Sequence, residues 1–128
     1  MASQPPARLH GCEIDRKDAD LRAVVCGRRA EDVQNCYQAI AAEVIQHQCR
    51  RVLVIGRSTA DAFVHLAGRD ALRSVALAGV PAAFRLALVA ATADLIAIYD
   101  TAVLEAGRLG ITARRFTSEG EAVAWLAS

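Results

Sequence analysis

Two unbroken apolar runs of strand length, RRVLVIG at 50–56 and RLALVA at 85–90, constrain this chain more than any other feature. A strand that is apolar at successive positions has to be covered on both faces, and a parallel sheet carrying helices does that. The segments around the runs have helical spacing. Val33, Cys36, Tyr37, Ile40, Val44 and Ile45 recur at three- and four-residue steps between Ala30 and about Gln48. Leu95, Tyr99, Val103, Ala106 and Leu109 do the same farther on, and Gly110 closes that stretch. Between the runs a further helical region, in one or two pieces, ends at LAGVP. There Gly79 suits the left-handed position after a helix and Pro81 blocks continuation.

Upstream, HGCEI and DLRAVVCG flank the charged turn DRKDAD, a pattern that predicts an antiparallel hairpin whose second strand ends at Gly27. Downstream, ITARRF is the last strand. Ser118 and Glu121 then stand as a Ser-x-x-Glu capping box. The helix that follows is too short to stand alone and has to dock, with Trp125 and Leu126 as anchors. The expected order is β-β-α-β-α-β-α-β-α: an α/β domain over 10–128, preceded by a flexible tail at 1–9. Its sheet is mixed but mostly parallel, with helices packed against it.

Composition narrows the function classes. Of 128 residues, 54% are hydrophobic and 23% charged, enough for a real core. A net charge of +1 gives no field to draw nucleic acid or anionic lipid, and 5% aromatics cannot build a base-stacking surface. The uncharged stretches 74–84 and 86–93 are broken by Arg85 and Asp94 and are too short to span a bilayer. No apolar segment follows the N-terminus as a secretory signal would require. The four cysteines, Cys12, Cys26, Cys36 and Cys49, form no C-x-x-C pair and have no histidine at metal-ligand spacing. Cys26 and Cys36 read as buried thiols. The expectation is a reduced, cytoplasmic, soluble protein with no metal and no cofactor.

The closing segment, RRFTSEGEAVAWL, resembles the C-terminal signature of the SpoIIAA-like family of STAS/SEC14-type bacterial domains, with Phe116, Glu121, Ala122, Trp125 and Leu126 in the matching places. CGRRAEDVQNCYQAIAAEV resembles the family's strand, turn and Glu-Asp-Val helix opening, and the two apolar runs resemble its central strands. The resemblance covers about residues 10 to 127 and implies a STAS-like fold. Its better-known relatives, the anti-sigma factor antagonists, are protein-binding switches phosphorylated on a serine in an Asp-Ser-Ser-Gly turn. Here the region reads GRSTADAFVHLAGRDALR. With Asp70 as the equivalent helix cap, Ala71 takes the acceptor's place and has no hydroxyl, so the switch does not carry over. The likeness to lipid-transfer domains implies a lipid or small apolar ligand.

Gly56-Arg57-Ser58-Thr59-Ala60 is similar in outline to a nucleophile elbow, but a triad needs an acid and then a histidine downstream, and only His65 follows, close by. Ser58 and Asp61 also make a Ser-x-x-Asp capping box, which explains them without chemistry. A third reading has Arg57, Ser58 and Thr59 at a helix start receiving an anionic group, at the carboxyl end of a central strand. The pairs Arg28-Arg29, Arg50-Arg51 and Arg114-Arg115 read as surface charge, His47 as solvated, and His65 and Tyr99 as packing residues with one satisfied polar atom. The resulting expectation is a non-catalytic domain recognising a protein partner or a small apolar, lipid-like ligand, with no nucleic acid. Arg57, Ser58, Thr59, Phe63 and Leu66 are its candidate binding residues. By analogy, the helix carrying Phe63, Leu66, Leu72 and Leu77 is its contact region. The alternative is a phosphoregulated switch or small enzyme using Ser58 or Thr59. The hairpin edge at 10–26 is the candidate surface for a homodimer.

Overall fold

A computed structural model describes residues 10–58 and 61–128. The expected tail at 1–9 lies outside the described residues, as does Thr59. The elements are β1 (Cys12–Lys17), β2 (Asp20–Val25), α1 (Ala30–His47), β3 (Arg51–Gly56), a 3-10 helix (Ala62–Ala67), α2 (Gly68–Ala78), β4 (Arg85–Ala90), α3 (Ala93–Arg108), β5 (Ala113–Phe116) and α4 (Glu119–Ala127). The strands lie in chain order, β1-β2-β3-β4-β5, with β1 antiparallel to β2 and the other neighbours parallel. The expected α/β class with its mixed sheet is observed.

Strands in chain order mean that each crossover advances in the same direction across the sheet. Crossovers of one hand therefore place α1, α2 and α3 on one face. Strand alternation records the two layers. Leu21, Ala23, Val25, Val52, Val54, Leu86 and Leu88 pack toward the three helices, whereas Val24, Leu53, Ile55, Ala87 and Val89 pack with Phe116 and Ala122 toward α4. This two-sided burial is why the central strands read as continuous apolar runs.

Three local expectations change. The hairpin turn is two residues, Asp18 and Ala19, with Lys17 opposite Asp20. Asp18 takes a left-handed φ of 56°, which a short polar side chain tolerates, and so Asp15, Arg16 and Lys17 extend the strand instead of forming a loop. Cys12 and Cys36 are joined in a disulfide that ties β1 to α1, with Cα atoms 5.4 Å apart, which corrects the reading of Cys36 as a buried thiol in a reduced chain. Cys26 is half-buried, not buried, and Cys49 is a buried free thiol. Finally, α2 continues directly from the 3-10 helix through Ala67, so Asp70 sits in its first turn and caps nothing. At the other end of α2, Gly79 takes a positive φ of 87°, but with ψ 143° it lies outside the left-handed helical conformation expected there.

The docked C-terminal helix has a specific lock. Ser118 caps α4, its Oγ accepting from the Glu121 amide at 3.3 Å. Phe116 and Trp125 meet at 5.7 Å between ring centroids. From β4, Arg85 Nη1 donates to the Trp125 carbonyl at 2.7 Å and the Ser128 carbonyl at 3.0 Å, while its guanidinium lies 5.3 Å over the Trp125 ring. One arginine thus ties the last carbonyls of α4 to β4, adding to the bonds that the Trp125 carbonyl accepts from the Ser128 amide and hydroxyl, and complements the helix dipole. At the other end of α4, Glu119 forms a two-pronged pair with Arg22 at 2.8 and 3.1 Å. No helix among the described residues is long and apolar enough to cross a membrane.

Candidate functional site

The apolar faces of α1, α2 and α3 do not close completely on the sheet. A cavity of about 60 Å³ remains, walled by Val52, Val54 and Leu88 of the sheet and by small residues of all three helices, Ala41, Ala71 and Ala102. The small residues explain the space: alanine brings a helix axis close but does not reach the β-branched floor. At one end of this apolar enclosure stand three polar-tipped side chains, Tyr37 from α1, His65 from the 3-10 helix and Tyr99 from α3.

These three form a continuous hydrogen-bonded chain. Tyr37 Oη lies 2.5 Å from His65 Nδ1 and 2.7 Å from Tyr99 Oη. The imidazole stands edge-on to both phenol rings, at interplanar angles of 80° and 88°. All three residues are buried, His65 to 3% exposure. Burial lowers His65 to a pKa of about 4, so the ring is neutral at physiological pH. Burial likewise pushes both phenols up, Tyr37 with reinforcement from Tyr99, and keeps them protonated.

Gly56, the last residue of β3, makes this arrangement possible. A Cβ there would fall 2.5 Å from Leu95 Cδ2 and 2.8 Å from Tyr99 Oη, so only a glycine admits the phenol to its position. Gly68 plays a milder part where the chain passes against the Tyr37 ring, 3.4 Å from a notional Cβ.

The residues expected to bind lie elsewhere. Arg57 is exposed, its backbone amide donating to the Val25 carbonyl at 2.8 Å and its guanidinium 3.8 Å from Glu119. Ser58 does not cap a helix with Asp61. Its hydroxyl donates to the Gly27 carbonyl at 2.5 Å, tying the β3 exit to the β2 exit, and Asp61 alone caps the 3-10 helix by accepting from the Phe63 amide at 2.9 Å. Among the described residues, the first helical residue after β3 is Ala62. Phe63 and Leu66 are on the surface, 71% and 37% exposed, and Leu77 is exposed with them, but Leu72 is buried in the core and cannot form part of a contact face. The cavity does not lie in a sheet crevice. With strands in chain order there is no reversal point at the carboxyl edge, and the space lies between the sheet and its helices.

Tyr37 and Tyr99 carried a signal that their stripe positions obscured: each is a polar-tipped ring where a plain aliphatic would serve packing alone. His65 and Tyr99 do pack and do have a polar partner, as expected, but the partner is the same Tyr37. A second, open depression lies between β1, β2 and α4, and it is lined by charge. There Arg51 pairs with Asp20 at 2.8 Å, and Glu119 is held below the usual carboxylate range by its bond from Arg22. Among the described residues no group of three His, Cys, Asp or Glu is arranged to hold a metal. Compared with family models, curated proteins and solved structures, the chain matches none.

Proposed function

We propose that this chain is a non-catalytic binding domain of the STAS-like, SpoIIAA-like type whose ligand is a small apolar molecule taken into the cavity beneath α1, α2 and α3. The observation that carries the reading is an apolar space beneath the three helices whose lining includes the hydrogen-bonded Tyr37, His65 and Tyr99, a small version of an apolar pocket with a few convergent polar groups. A hairpin-led sheet in chain order, with three helices on one face and a capped, tryptophan-anchored helix on the other, supports the family reading. The non-catalytic reading is supported by the state of His65. With a pKa of about 4 it is a poor base near neutrality, and its hydrogen-bonding neighbours are phenols, not carboxylates. Xenon binding followed by amide chemical shifts tests the proposal. Signals from Ala71, Ala102 and Val54 should move, and Ala71→Leu should abolish the response. A parent protein that takes up no xenon sinks it.

Exposed Phe63 favours a second reading, recognition of a protein partner. Phe63 sits two residues from His65 on the same 3-10 helix, so a partner seated there would press on the polar end of the cavity. Phe63→Ser would then weaken partner capture without changing xenon uptake.

A further inference from the structure

The hydrogen-bonded chain at the cavity's end can run in only two directions. Each phenol has one proton, and a neutral imidazole has one ring proton, on either nitrogen. With that proton on Nε2, Tyr37 donates to His65 Nδ1 and Tyr99 donates to Tyr37, which leaves the Tyr99 oxygen with only lone pairs to offer. With the proton on Nδ1 the direction reverses: Nδ1–H donates to Tyr37, Tyr37 donates to Tyr99, and the Tyr99 hydroxyl proton is left to donate. A tautomer change at His65 therefore converts the Tyr99 end from acceptor to donor. Among the described residues the His65 ring bonds through Nδ1 alone, so Nε2 is not tied to one state.

The remaining wall restricts what can meet this chain. Its other lining residues are aliphatic side chains, Phe84 and Gly68, with no carboxylate, ammonium or guanidinium among them. An ionised ligand group would enter without a counter-charge, at a heavy desolvation cost. Size is restrictive as well. The 60 Å³ is well under the ~150 Å³ of an apolar cavity that admits the six carbons of benzene, which scales to about two or three non-hydrogen atoms as the space stands, so a three-carbon ligand enters only with a slight outward shift of a helix.

We infer that the cavity selects a small neutral molecule bearing one hydroxyl or carbonyl group on a short aliphatic body, its polar atom bonded to the Tyr99–Tyr37–His65 chain. The inference rests on the cavity being a ligand site and adds the class of ligand. The reversible chain accepts from an alcohol or donates to a ketone with the same three side chains, and a tautomer shift at His65 is the signature of the difference.

The test uses ligands with one three-carbon body and different polar groups: 1-propanol, acetone, propionate and propylammonium, with xenon as the purely apolar probe. Each is titrated at neutral pH, to tens of millimolar for the organic ligands, into the full chain and followed by NMR at Gly56, Gly68 and the His65 ring nitrogens. 1-Propanol and acetone are expected to bind at least tenfold more tightly than propionate or propylammonium. Acetone, which can only accept, is expected to drive His65 toward the Nδ1–H tautomer. Tyr99→Phe should weaken 1-propanol and acetone at least tenfold and leave xenon within about threefold, because a buried hydrogen bond is lost while the shape is kept. Should that variant fail to fold, Tyr37→Phe, which interrupts the chain at its centre and leaves the Tyr99 hydroxyl in place, should keep 1-propanol and acetone binding but abolish the effect of acetone on the His65 tautomer. Xenon entry with equal binding of neutral and charged ligands overturns the inference and leaves the cavity reading standing. The same holds if alcohol affinity does not respond to Tyr99→Phe, or if acetone still shifts the His65 tautomer in Tyr37→Phe. Failure of xenon itself to enter overturns both.

Discussion

Removing the Tyr37 hydroxyl is the sharpest stability test of the buried chain. Phenylalanine keeps the ring and its packing, so the perturbation is one oxygen atom. That atom makes two bonds, at 2.5 Å to His65 Nδ1 and 2.7 Å to Tyr99 Oη, and both partners are buried. Tyr37→Phe therefore loses two hydrogen bonds and leaves two polar groups without partners. An orphaned buried group costs about 1–3 kcal/mol. Water reaching the adjacent space would relieve part of this, giving a loss of about 2–4 kcal/mol. Tyr99→Phe breaks only the terminal bond and should cost about 1 kcal/mol. The decisive comparison is the triple variant Tyr37→Phe/His65→Leu/Tyr99→Phe. It removes every polar group of the chain together, leaves no orphan, and should lie within about 1 kcal/mol of the parent, because apolar replacement of all partners is nearly neutral. Equilibrium urea unfolding read by circular dichroism and Trp125 fluorescence gives the four values, and coincident transitions license the two-state treatment. A triple variant less stable than Tyr37→Phe alone refutes the reasoning, since it would mean the chain stabilises the fold outright and is not merely costly to interrupt.

Acid should weaken the fold through His65. Its folded pKa of about 4 lies below the ordinary 6.5, so between those values the unfolded chain binds more protons; the contribution is intact above pH 6.5 and lost as pH falls to 4, by about 3 kcal/mol at most. A urea series across that range in the parent and in His65→Leu checks it, and parallel curves would be the contrary result. Arg85→Met should lower stability by about 1–2 kcal/mol, and the melting temperature by roughly 5 °C, by removing the charge-assisted bonds to the Trp125 and Ser128 carbonyls and the cation over Trp125. An unchanged melt with unchanged Trp125 emission would dismiss the lock. Cutting the Cys12–Cys36 tie, whose ends are 24 positions apart, should cost about 3 kcal/mol on the loop-closure model, read as a lower urea midpoint for Cys12→Ser or for parent in reductant. A midpoint indifferent to both counts against a constraining bond.

The layered fold was legible because its signal is carried by many residues at once. The continuous runs at 51–56 and 85–90 are apolar since Val52, Val54, Leu86 and Leu88 face one helical layer while Leu53, Ile55, Ala87 and Val89 face the other. The α4 segment was legible for a different reason: a cap, a short helix and a large ring can only dock. What depended on single long-range contacts stayed hidden. Nothing local to Cys12 or Cys36 shows that a strand edge and a helix face meet at 5.4 Å. Ser58 looked like a cap because capping is a three-residue pattern, whereas its hydroxyl also reaches the Gly27 carbonyl at the exit of the neighbouring strand, 31 positions away. Arg85 reads as a strand-initial surface charge, and its role at Trp125 and Ser128 needs two elements to be placed first. The Tyr37–His65–Tyr99 chain joins three elements, and spacing rules give each residue a packing role without bringing them together.

At about 24 cal/mol per Å³, a space of 60 Å³ costs roughly 1.5 kcal/mol of stability, a sizeable share of what a domain of this length has. Larger side chains at Ala41, Ala71 or Ala102 would fill it, and helix propensity places no obstacle to leucine there. A packing account of the three alanines explains the close helices but not the unfilled floor. It also leaves the buried polar chain at one end unexplained, since phenylalanine and leucine would make the same enclosure at little or no cost. Both features become reasonable together if the space is occupied part of the time, because a ligand that binds only the folded chain restores stability in proportion to its occupancy. Filling the space with Ala71→Leu should therefore act on stability and on uptake with opposite signs: a firmer empty domain that no longer responds to xenon.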